Sequence, residues 1–116
     1  MAQTTMIWVK LQRHGFHAYP QAPGEVSYLR QRHRHLFYIK AGLQVFHDDR
    51  EVAFHMFQNW ISSLFGTDLE LDNQSCEMIA QALLDRILAN YGEHRDAMVE
   101  VSEDDECGAV IRHLHD

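Results

Sequence analysis

His33, His35, Phe37, Ile39, Ala41, Leu43 and Val45 occupy alternate positions in the segment from His33 to His47, and this run constrains the fold more than any other. A two-residue period is that of a β-strand, so these side chains share one face of a single long strand. The same period puts the two histidines of His33-Arg34-His35 on that face, about 7 Å apart along the chain. Two imidazoles so placed form half of a metal site. A third from a neighbouring strand would complete a three-histidine centre with one open position, as in catalytic zinc sites.

The remaining elements follow from local pattern. Residues 4 to 14 read as a first strand, with Ile7, Val9 and Leu11 on one face, and Pro20 and Pro23-Gly24 mark the connecting loop. The two strands are antiparallel if they pair directly. Asp48 and Asp49 are suited to cap a first helix, in which Ala53, Met56, Phe57, Trp60, Ile61 and Leu64 recur at helical spacing up to Gly66. A polar loop over 68–73 precedes a second helix with Cys76, Ile79, Ala80, Leu83, Ile87 and Tyr91 on one stripe, closed by Gly92. Residues 98–102 resume the strand period, and 109–113 return as a last strand after an acidic loop. The expectation is an α+β domain over 1–116, of order β-β-α-α-β-β. Its four-stranded antiparallel sheet would carry two helices on one face.

The formal charge of −7 excludes nucleic acid as the main partner, because a phosphate backbone demands a basic surface. A local basic patch for a small anion stays open: Arg30, Arg32 and Arg34 alternate and would point one way along a regular strand. The two cysteines, Cys76 and Cys107, and the lack of a charged and then apolar leader lead to the expectation of a cytoplasmic protein with free thiols. No apolar run suggests a membrane span.

Among the nine histidines, His17 is the leading third metal ligand. His14 lies three residues earlier, hence on the opposite face of an unbroken strand. Glu103 has the parity of Val99 and Val101, which sets a carboxylate on the inner sheet face, where it needs a ligand or an arginine. Glu77, in the first turn of the second helix, either complements the helix dipole or meets a ligand. Cys76 at the same helix start is either a stabilised thiolate or part of the packed stripe.

Four segments together carry a family resemblance. Phe16-His17-Ala18-Tyr19-Pro20 is similar to a first-strand histidine motif, and His33-Arg34-His35-Leu36-Phe37 to a His-Gly-His segment with Arg34 replacing glycine. Ser75-Cys76-Glu77-Met78-Ile79-Ala80 is similar to a Thr-x-Glu-x-x-Ala helix start, and Val99-Glu100-Val101-Ser102-Glu103 to a Val-x-Val-x-Glu strand. In this order they resemble the tunnelling-fold (T-fold) family of pyruvoyl-tetrahydropterin synthase and 6-carboxytetrahydropterin synthase.

The resemblance implies zinc on His17, His33 and His35, and Glu103 hydrogen-bonded to the amino and ring N–H groups of a reduced pterin or purine-derived ligand at a subunit interface. It also implies a zinc-dependent carbon–oxygen lyase and a homo-oligomer, trimer or hexamer, whose sheets join into a β-barrel. The chain departs from the family at Leu29, where the synthases carry a catalytic cysteine, and in 66–74, which lacks the histidine of their Asp-His pair. Cys76, His47 and His55 are the candidate substitutes for proton transfer. The alternatives are a T-fold ligand-binding or sequestering module without turnover, and a structural oligomer without metal.

Overall fold

The computed structural model describes residues 3–116. Strands β1 (Thr5–His17) and β2 (His33–Val45) form a long antiparallel pair in which Val9 lies opposite Ala41 and His17 opposite His33. Odd-numbered residues of both strands face the helices. Phe37, Ile39, Ala41 and Leu43 are buried there, while Trp8, Lys10 and Gln12 on the other face are exposed. β1 runs three residues beyond the expected end at 14, and this extension carries His17 into the sheet.

The expected four-stranded antiparallel T-fold sheet is corrected. The sheet has five strands in the order β3-β1-β2-β4-β5, where β3 is Asp68–Glu70, β4 is Ala97–Glu103 and β5 is Cys107–His113. β3 lies parallel to β1, with Leu69 beside Gly15, so the sheet is mixed. The segment read as a polar loop alternates Asp68-Leu69-Glu70-Leu71-Asp72, and Leu69 and Leu71 both enter the core. That alternation is the signal for the missed strand. The described residues form three helices, because Gly24–Leu29 in the expected loop forms a 3-10 helix beside α1 (Phe54–Ser63) and α2 (Cys76–Tyr91). The α+β class stands.

α1 starts later than expected. Asp48 and Asp49 lie in turns and the N-cap is Ala53, with no side-chain cap. The preceding loop is held instead by Glu51, whose Oε1 accepts the Phe46 N–H at 2.6 Å and whose Oε2 accepts from Arg95 Nη1 at 3.1 Å. α2 agrees with the sequence pattern. Ser75 Oγ accepts the Met78 N–H at 3.2 Å, and Gly92 ends the helix at φ 102, where a side chain would be strained. Phe57 and Ile61 of α1 and Ile79, Ala80, Leu83 and Ile87 of α2 bury their stripes against the sheet. Each such large apolar side chain contributes about 1.5–3 kcal/mol by leaving water. No helix is long and apolar enough to cross a membrane among the described residues.

Candidate metal centre

Strand register assembles the centre. His17 ends β1 directly opposite His33, which begins β2, and His35 lies opposite Gly15, so all three imidazoles stand on the helix-facing side. Their candidate ligand nitrogens lie within 4.8 Å of one another. Phe37, fully buried, is the apolar floor: its ring packs edge-on to His17 and His35, with centroids 5.3 and 5.8 Å away. Gly15 is required beneath it, since a Cβ there would come within 2.6 Å of the Phe37 ring. His14 projects to the opposite, exposed face.

The ring tautomers follow from the outer partners. His17 Nδ1 lies 2.9 Å from the Gln74 carbonyl oxygen, His33 Nδ1 lies 2.8 Å from that of Gln31, and His35 Nδ1 lies 2.7 Å from Asp104 Oδ2. Carbonyls and carboxylates only accept, so each Nδ1 carries a proton and donates it, which leaves the Nε2 lone pairs as candidate metal ligands. Histidine ligands of metals are oriented in this way by carbonyl or carboxylate partners. Asp104 is a candidate site residue that the sequence pattern does not single out, because it lies in the acidic loop between the last two strands. It also accepts the Leu36 N–H at 2.9 Å. The Leu36 N–H and then the His35 ring N–H hold its carboxyl below the usual carboxylate range.

Glu103 closes the same corner. Its register partner is Phe37, and its oxygens lie 3.3 Å from His17 Nε2 and 3.3 Å from His35 Nε2. The His35 contact has ion-pair length but no hydrogen-bond geometry, and His35 Nε2 is buried without a hydrogen-bond partner. Lone pairs on nitrogen facing a carboxylate repel unless positive charge lies between them. This donor set, three imidazoles and a carboxylate around an unpartnered buried nitrogen, fits a divalent transition metal, zinc among them.

A pocket of about 590 Å³ opens beside the centre, lined by His17, His33, Leu29, Cys76, Glu77 and Glu103 among others. The sequence-derived candidates Glu77 and Cys76 thus share a pocket with His17 and His33 of the histidine cluster. Leu29, at the position of the family's cysteine, reaches the pocket but offers no titratable atom. Cys76 lines the same pocket, and burial, then the charge of Glu103, pushes its thiol up to about 12. The structure places His47 and His55, the other proton-transfer candidates, apart from this cluster within the chain. They line a separate pocket with Thr5 and Val45, at the far end of β1 and β2. His47 follows His35 by twelve residues, about 40 Å along an extended chain.

The arginines do not form one patch. Arg30 Nε donates to the Ala22 carbonyl at 2.9 Å, and Arg32 pairs with Glu70 at 2.7 Å while stacking over Phe16, which leaves Arg34 alone on β2. Comparison with models of known protein families gives no match, and no curated protein matches the chain.

Proposed function

We propose that the protein is a zinc-binding protein of the pterin-synthase type that holds a reduced pterin or purine-derived ligand in the pocket beside the metal. The carrying observation is a cluster of three imidazoles whose ligand nitrogens lie within 4.8 Å of one another, each with Nδ1 held by an acceptor, and two of which, His17 and His33, line that pocket. Zinc bound there would polarise an oxygen of the ligand. Tyr19 and Met78 line the pocket as half-exposed apolar groups that can cover a flat ring. Glu77 is exposed on the same wall and, among the described residues, has no ion-pair partner, so its carboxylate is free to accept paired N–H groups from the ligand's polar edge.

A second reading, a ligand-binding or sequestering module without turnover, is favoured by Leu29 in the pocket, a side chain that can neither take nor give a proton where the resembled synthases carry cysteine. The seven-residue β5 at one edge of the sheet carries spare backbone N–H and C=O groups, which supports assembly of several copies, a trimer or hexamer in this reading.

Elemental analysis of zinc-loaded protein tests the metal, with His33→Ala and His35→Ala expected to abolish binding. A wild-type chain that stays metal-free after incubation with zinc refutes the proposal. Calorimetry with pterins and guanine nucleotides tests the ligand, and consumption of a bound pterin separates the enzyme from the module.

A further inference from the structure

We propose that Glu103 is the fourth ligand of the metal centre, so that the resting site is a closed His17, His33, His35 and Glu103 set with no position for water. This deepens the zinc reading and rests on it.

The geometry carries the assignment. Around a tetrahedral zinc with bonds of about 2.0–2.1 Å, neighbouring donor atoms lie about 3.3 Å apart. Oε1 of Glu103 stands 3.3 Å from His17 Nε2 and Oε2 stands 3.3 Å from His35 Nε2, so the carboxylate faces two of the three imidazoles at that donor spacing. No lysine or arginine among the described residues pairs with this carboxylate. Its ion-pair partners there are those two rings, and its other polar neighbour is the Cys76 thiol at 3.9 Å. Three neutral imidazoles would leave a double positive charge in a largely buried corner, and one carboxylate halves it. Position on the chain agrees. Glu103 is the last residue of β4, and the next residue, Asp104, turns back with φ 56 to hold His35 Nδ1. One strand end therefore supplies a metal ligand and the partner of another.

The consequence bears on how a ligand would bind. The resemblance implies that this glutamate grips the far edge of a bound ring. With its oxygens 3.3 Å from the His17 and His35 Nε2 atoms, a ring does not fit between Glu103 and those nitrogens. A ligand oxygen reaches the ion only by displacing the carboxylate or by raising the coordination number. Glu103 thus guards the metal, and an exogenous anion is excluded until the carboxylate moves.

The test uses the full chain loaded with zinc or with cobalt(II), comparing wild type with Glu103→Ala and Glu103→Gln. Zinc affinity is read by competition with a chromophoric chelator, and coordination by the visible cobalt(II) spectrum with and without azide. Wild type is expected to show four-coordinate bands that azide leaves unchanged. Glu103→Ala is expected to lose about 10- to 100-fold in zinc affinity, the scale set by removing even an outer partner of a ligand, and to show bands that azide shifts. Glu103→Gln keeps the side-chain volume and should fall between the two. Circular dichroism of the metal-free variants confirms that they fold. Equal affinity and identical spectra in wild type and Glu103→Ala overturn the fourth-ligand assignment while leaving the three-histidine site standing, as does a wild-type spectrum that azide shifts at the same low concentration as it shifts that of Glu103→Ala. Failure of wild type to bind either metal removes the zinc reading itself.

Discussion

Asp104→Asn should weaken zinc binding by about 10- to 100-fold, or about 1.4–2.7 kcal/mol, without unfolding the protein. In the native site Oδ2 accepts from His35 Nδ1 at 2.7 Å while Oδ1 accepts the Leu36 N–H at 2.9 Å. An amide offers one oxygen and one NH2 group. Whichever way it is oriented, a donor faces a donor, a cost of about 1–3 kcal/mol for the group left unpaired. If the oxygen stays on the Leu36 N–H, the NH2 favours the His35 tautomer with its lone pair on Nδ1 and its proton on Nε2. That proton occupies the lone pair the metal needs. The backbone, by contrast, tolerates the change, because residue 104 sits at φ 56, a region that asparagine enters readily. Chelator competition at fixed pH measures the affinity, and thermal melting of the metal-free protein shows whether the turn survives. Zinc affinity indistinguishable from wild type in a folded Asp104→Asn protein would refute the tautomer argument and, with it, the claim that Nδ1 partners organise the site.

Two further predictions concern groups away from the metal ligands or beside them. The Phe46 N–H, with Arg95 behind it, holds the Glu51 carboxyl below its ordinary range, so its stabilising effect is complete above the usual carboxylate pKa and is lost as pH falls through the lowered value. Glu51→Gln should therefore flatten the acid side of a melting-temperature profile against pH, and an unchanged profile would show that the loop clamp contributes nothing. Iodoacetamide near pH 8 should modify exposed Cys107 quickly and Cys76, buried with its thiol pushed up to about 12, only slowly. Peptide mass analysis reads this directly, and equal rates in the folded protein would contradict the burial of Cys76.

Much of the molecule was legible from the chain alone, because periodicity is a local property. The alternation from His33 to Val45 specified the central strand and placed His33 and His35 on one face, and the 3.6-residue stripe from Cys76 to Tyr91 specified α2 with Gly92 at its end. Parity alone separated His17 from His14. β3 escaped because three residues hold too few alternations to stand out, and it is a strand only through pairing with β1, which is distant in sequence. The start of α1 moved because Glu51 is engaged by Phe46 and Arg95, a contact across 44 residues that no capping pattern reveals. The candidate metal centre shows the same division. Residue types and spacing named its three histidines. Only tertiary structure set Asp104 on His35, Gln74 on His17 and Glu103 between two rings, because the register of β4 on β2 and the turn at Asp104 decide where those oxygens point, and the oxygens decide which ring nitrogen is left with a lone pair.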